Sequence, residues 1–157
     1  VFDHVGVAIA DLAASERFYR TMLGVLGVEP SYAAADMVGW DDWWIGPTDR
    51  EHPVTRGLHL AFRVGDRPQV DAFWQAGIGA GYGDDGAPGP RPQYGSTYYG
   101  GFLLDPDGNR VEGGPRRPRG RGARRPHRPP VDPRPRPASL RALLHNDRPA
   151  RRAAPGA

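Results

Sequence analysis

The 157-residue chain has no cysteine and no lysine. Without cysteine there is no disulfide scaffold, zinc–thiolate finger, iron–sulfur centre or thiol nucleophile. No apolar run approaches the roughly 20 residues that a membrane span needs, and no basic segment leads into an apolar one, so the composition predicts a cytoplasmic protein with no membrane partner. The length suits one domain. All 21 basic residues are arginine, a bias that carries no mechanism by itself.

Charge and aromatics divide the chain. Residues 1–114 hold 8 Arg and 16 Asp plus Glu, a net of −8, whereas residues 115–157 hold 13 Arg and 2 Asp, a net of +11. All fifteen aromatic residues precede residue 114. The sequence therefore predicts a folded domain over 1–114 and a disordered Arg/Pro-rich tail over 115–157, with one short helical turn at Ser139–His145, because the tail has too little apolar surface to offset its ordering entropy. The tail also lacks the interleaved aromatics that base stacking uses, which argues against nucleic acid as a partner.

The folded part repeats. Shifted by 55 residues, His4-Val5-Gly6-Val7-Ala8-Ile9-Ala10-Asp11 falls on His59-Leu60-Ala61-Phe62-Arg63-Val64-Gly65-Asp66, Phe18-Tyr19 on Phe73-Trp74, and Leu23-Gly24 on Ile78-Gly79. Two copies are too few for a solenoid and fit a duplicated supersecondary unit. Each copy opens with period-two alternation, the mark of a half-buried strand. Asp11 then caps a helix over about Leu12–Leu26, and Asp66 a second one, with Gly24 and Gly79 where the helices end. Strands follow at Glu29–Ala34, Asp36–Trp40 and Trp43–Ile45, with Asp41-Asp42 as a turn. In the second copy they follow within Gly81–Pro92, at Ser96–Leu104 and at Arg110–Gly113, the last two joined by Asp105-Pro106-Asp107-Gly108-Asn109. Each unit, about 1–55 and 56–113, reads β-α-β-β-β, an α+β fold.

The segments Phe2-Asp3-His4-Val5-Gly6-Val7, Arg17-Phe18-Tyr19-Arg20-Thr21-Met22-Leu23-Gly24 and Phe102-Leu103-Leu104-Asp105-Pro106-Asp107-Gly108-Asn109-Arg110-Val111-Glu112 carry a resemblance. In these, and in its tandem βαβββ pattern, the chain resembles the vicinal oxygen chelate superfamily, which includes glyoxalase I, bleomycin-resistance and fosfomycin-resistance proteins and extradiol dioxygenases. The resemblance implies an open, cupped mixed sheet with helices on its outer face. It also implies a homodimer, sometimes with exchanged units, and a divalent metal held from the first strand of each unit and from a closing strand.

His4 and His59 occupy equivalent repeat positions on the face opposite the apolar set, and Glu112 lies on the face opposite Val111. Two imidazoles and a carboxylate form the facial set that leaves open positions on Fe(II), Mn(II), Ni(II) or Zn(II). A second carboxylate is missing from the first unit, where Trp44 or Ile45 holds the equivalent place; Glu51 and His52 lie later, in a polar loop. Three ligands favour a dioxygenase, lyase or transferase in which a small oxygen-chelating substrate occupies two metal positions. They disfavour an isomerase whose fourth-ligand glutamate doubles as base. By the same resemblance Tyr99 is the candidate acid/base with Glu112; Arg63, which shares the face of His59, is a candidate to hold an anionic substrate, and Trp44 and Tyr98 are further candidate substrate contacts. The alternative is a metal-free, bleomycin-resistance-like protein that binds an aromatic ligand in a Trp-lined groove.

Overall fold

The structure, a computed structural model, describes residues 3–115. The basic tail and its helical turn at Ser139–His145 lie outside the described residues. The first unit runs β1 (Val5–Ile9), α1 (Leu12–Gly24), β2 (Tyr32–Ala34), β3 (Met37–Trp40), β4 (Trp43–Pro47). The second runs β5 (His59–Val64), α2 (Arg67–Gly79), β6 (Gly83–Pro90), β7 (Tyr99–Leu104), β8 (Arg110–Pro115).

The helices start where the sequence marks them. Asp11 accepts a hydrogen bond from Ala14 N at 3.0 Å, and Asp66 one from Gln69 N at 2.9 Å, each satisfying an amide of the first turn. In α1 the buried residues Ser15, Phe18, Tyr19, Met22 and Leu23 follow a helical stripe. The left-handed glycines that close the helices are Gly27 (φ 71) and Gly81 (φ 84), a few residues beyond the Gly24 and Gly79 that end the helical runs. There Val28 N donates to Leu23 O and Tyr82 N to Gly77 O.

Each unit builds its own four-stranded mixed sheet, ordered β1-β4-β3-β2 and β5-β8-β7-β6. In both, the first strand runs parallel to the last and the other pairs are antiparallel. No ladder among the described residues joins the two sheets, and β1 and β5 are edge strands. The sequence repeat fixes which residues are equivalent; it does not dictate whether the equivalent strands of one chain lie side by side.

The helix-facing sides share one core. Val7, Ile9, Phe18, Tyr19, Met22, Val38, Trp40 and Ile45 of the first unit pack with Phe73, Leu103 and Val111 of the second. Full burial of each large side chain stabilises by about 1.5–3 kcal/mol. A polar clasp adds specificity at the turn before β8. The buried Tyr19 hydroxyl donates to Asp105 at 2.9 Å, Ala10 N donates to Asp107 at 3.2 Å, and Asn109 bridges Leu58 N and Thr55 O, each at 3.0 Å. Burial pushes the Tyr19 phenol far above its ordinary pKa, and the Asp105 charge adds to the shift.

Candidate functional site

With the helix-facing positions consumed by the core, the alternate positions of each sheet form an open face. On the second sheet, parallel register sets Ala61 beside Glu112, and antiparallel register sets Glu112 beside Phe102. Glu112 is only 3% exposed, yet both its oxygens are engaged. His59 Nε2 lies 2.8 Å from Oε2, and the Tyr98 hydroxyl donates to Oε1 in a short hydrogen bond. Tyr98 reaches Glu112 over two glycines. A Cβ on Gly114 would lie 2.7 Å from both Glu112 Oε1 and the Tyr98 hydroxyl, and one on Gly100 would lie 3.1 Å from Oε1. The His59 ring meets the edge of Phe102 at 6.3 Å between centroids.

The first sheet has the same plan and a different chemistry. Register places Trp44 beside Gly6, as Glu112 stands beside Ala61, so Trp44 is the residue at the carboxylate position. Ile45 is fully buried in the core. Trp44 lies across Gly6, whose Cβ would come within 2.9 Å of the indole. The His4 ring lies against Trp44 at 4.8 Å between centroids, tilted by 37°, and its Nδ1 is 3.0 Å from the Asp3 carboxylate. Trp44 and Met37 form a small apolar cluster with Tyr32, and the buried Trp44 indole N–H has no hydrogen-bond partner among the described residues.

The structure therefore brings His59, Glu112 and Tyr98 together, and sets His4 and Trp44 on the other sheet. Among the described residues, no three His, Asp or Glu side chains converge on a common point. The His59–Glu112 pair does suit a cation: two donors about 2.1 Å from a metal at a right angle stand about 3.0 Å apart, close to the observed spacing. A single chain thus presents two of the three donors expected.

Tyr99 is not at this site. Period-two alternation turns it to the helix side, where its hydroxyl donates to Asp71 at 2.8 Å and Arg67 lies over its ring. That hydrogen bond raises its pKa. Arg63 is exposed at the end of β5, on the face of His59 and Ala61. Glu51 and His52 belong to a turn in which Asp49 accepts from both backbone amides at 2.8 Å, and they border an open cavity of about 240 Å³ along Gly6–Ala8. The contributions of Gly100, Gly114 and Phe102 were not anticipated, although the alternation of β7 and β8 was enough to put them on the face of Glu112.

The family model of the Glyoxalase/Bleomycin resistance protein/Dioxygenase superfamily matches residues 1–112. Among solved structures, the chain is similar to a glyoxalase/bleomycin resistance protein from Albidiferax ferrireducens T118 (33% identity, TM-score 0.64, covering 73% of this chain and 98% of that one). The fold is also similar to that of a lactoylglutathione lyase from Agrobacterium tumefaciens (22% identity, TM-score 0.53, 71% and 91% covered). It is likewise similar to that of a family enzyme from Burkholderia phytofirmans PsJN (23% identity, TM-score 0.56, 72% and 96% covered). No curated protein matches.

Proposed function

The chain belongs to the Glyoxalase/Bleomycin resistance protein/Dioxygenase superfamily, and from that membership we propose that it is a divalent-metal-dependent enzyme acting on a small oxygen-chelating substrate. Residues 1–114 are the proposed catalytic domain. His59 and Glu112 of one chain hold the ion, and His4 of a second copy completes the set. The observation that carries this reading is the convergence of His59 Nε2 and Glu112 Oε2, 2.8 Å apart, on an open face. The outer edges of β5, which begins with His59, and of β1, which follows His4, carry no further strand among the described residues, and β1 is bonded on that side at Ala8 by Thr55; these edges support the pairing of two copies.

When bound, the metal would polarise a substrate oxygen as a Lewis acid. The protein's own residues supply the rest. Tyr98 holds Glu112 Oε1, so the carboxylate turns Oε2 toward His59. Orientation of a ligating group by its outer partner is worth tenfold to a hundredfold in metal affinity. Trp44 takes the place of a second carboxylate with a group that cannot ligate, and its apolar surface offers a wall for the substrate. Three protein ligands leave room for a chelating substrate, which fits a dioxygenase, lyase or transferase.

One observation favours a second reading: no three ligating side chains converge within the described residues, while Trp44, Met37 and Tyr32 form an apolar cluster. A metal-free binder of aromatic ligands would have these features. Elemental analysis of untagged protein after Fe(II), Mn(II), Ni(II) or Zn(II) reconstitution separates the two. Near-stoichiometric metal, lost in Glu112→Ala and in His4→Ala, supports the enzyme. Absence of metal from the wild-type protein overturns it. Sedimentation of the reconstituted protein tests the two-copy site, which a monomer holding full metal would refute.

A further inference from the structure

Residues 1–114 carry a net charge of −8 with only eight arginines. Three of these, Arg63, Arg91 and Arg110, gather on the open face of the second sheet. Arg91 lies over the Phe102 ring at 5.2 Å and Arg110 at 5.9 Å. Arg63 extends from the face of β5 across from Gly114. The corresponding face of the first sheet, with Gly6, Trp44, Met37 and Tyr32, has no arginine among the described residues. The cationic patch thus runs against the charge of the domain and is confined to the sheet that holds Glu112.

The three guanidiniums are not equally committed. Arg110 is ion-paired with Asp85. Arg91 donates to the backbone carbonyls of Ala87 at 2.7 Å and Pro90 at 3.3 Å, and no carboxylate among the described residues neutralises it. Arg63 has no hydrogen bond or ion pair among the described residues and is exposed. The Glu112 charge acts, with Asp85, on Arg110, which leaves Arg63 and Arg91 as the two guanidiniums of this face without a carboxylate partner among the described residues. Strands stand about 4.8 Å apart, so β5 and β7 are about 10 Å apart across this face, within reach of a long arginine side chain from one edge. Phe102 is buried beneath Arg91 and Arg110, so a ligand on this face beside the exposed His59 meets the guanidiniums themselves, Arg63 from β5 and Arg91 from the far edge.

We propose that this site takes a small organic oxyanion: a carboxylate, phosphonate or phosphate whose anionic oxygens are held by Arg63 and Arg91. This names the substrate class of the site proposed above and rests on that reading for its location only. Guanidinium forks suit such groups because their planar donors match two oxygens at once.

The test is calorimetric titration of the full-length protein, as purified, with phenylphosphonate and with benzoate, using benzamide as the uncharged comparison. Arg63→Gln and Arg91→Gln are each expected to weaken binding of at least one of the two anions about tenfold, and benzamide is expected to bind the wild type at least about tenfold more weakly than that anion. The tail's 13 arginines are present in every variant, so only differences between variants count. Arg63→Lys guards against a folding defect and is expected to retain part of the affinity. Affinities for both anions within about twofold across all variants, or benzamide binding as tightly as the anions, would overturn the proposal. Metal content is measured on the same samples. Arginine-dependent anion binding without metal would leave this inference standing and remove the enzyme reading. Full metal with arginine-independent binding would do the reverse.

Discussion

Replacing Gly114 by alanine tests how Glu112 is held. The added Cβ would lie 2.7 Å from both the Tyr98 hydroxyl and Glu112 Oε1, whereas carbon–oxygen contacts settle at about 3.3–3.6 Å. Strand β8 cannot retreat. It is laddered to β5 on one side and β7 on the other. On its opposite face the Phe73 ring comes within 2.8 Å of the Cβ position of the neighbouring Gly113. The Gly114 backbone is not in the left-handed region, so the substitution acts through the collision alone. The phenol must give way, which removes a hydrogen bond to a carboxylate worth about 1.5–3 kcal/mol. Gly114→Ala is therefore expected to cost about 2–3 kcal/mol, read from urea unfolding followed by tryptophan fluorescence. In a Tyr98→Phe background, where one of the two colliding oxygens is already gone, the same change is expected to cost at least about 1 kcal/mol less. Additivity within about 0.3–0.5 kcal/mol, the range for uncoupled sites, would refute the cradle, as would wild-type stability of Gly114→Ala.

Other expectations follow from the same contacts. The Tyr19 phenol is held neutral in the fold by burial and by Asp105, while in the unfolded chain it ionises near its ordinary value of 10.0. The folded state then binds more protons, so stability falls as pH rises above about 10, by up to about 1.4 kcal/mol per pH unit. Tyr19→Phe should flatten that alkaline limb in denaturation midpoints, and an unchanged slope would contradict the assignment. Asp105 accepts from the Tyr19 hydroxyl (2.9 Å), Asp107 N (3.0 Å), Asn109 N (2.7 Å) and Asn109 Nδ2 (3.0 Å). Asp105→Ala orphans several buried donors and should cost about 3–5 kcal/mol in the same assay; a loss under about 1 kcal/mol would mean the clasp is dispensable. Gly6→Ala should lift Trp44 off the first sheet, seen as a red-shifted emission and a loss of about 1–3 kcal/mol from overpacking.

The parts of the fold that were legible were those written in local chemistry. Asp11 and Asp66 announce their helices through their side-chain oxygens, and the Asp105–Asn109 turn announces β8. His59 and Glu112 could be found because alternation and the repeat fix their faces. Two features were not legible for definite reasons. Tyr98 and Tyr99 both fall within the strand expected over Ser96–Leu104, and the resemblance, which gives the acid/base role to Tyr99, does not weigh the parity that sets Tyr98 with Gly100 and Phe102 on the Glu112 face and turns Tyr99 toward Asp71. The separation of His4 from His59 is a matter of how two sheets pack. The residues that decide it, such as Tyr19, Phe62 and Asp105, interact across gaps of more than forty residues, with no periodicity to reveal them.

The register explains why the two halves of a duplicated unit do different work. Gly6 and Ala61 are equivalent, as are Trp44 and Glu112, and the small residue in each pair clears space above β1 or β5. In the second unit that space is flanked by a carboxylate held by His59 and Tyr98, and by Arg63 and Arg91, which have no carboxylate partner among the described residues. In the first, an indole fills it and lies against the tilted ring of His4. A substitution at one register position thus converts a donor face into an apolar one without disturbing the ladder beneath it, because side chains on the open face do not enter the shared core. If two copies meet with the first sheet of one facing the second sheet of the other, the resulting cleft has a polar, cationic wall and an aromatic wall. That combination suits a molecule with an anionic end and an apolar end better than it suits a bare ion or a hydrocarbon, and it places the imidazole of His4 on the wall opposite Glu112.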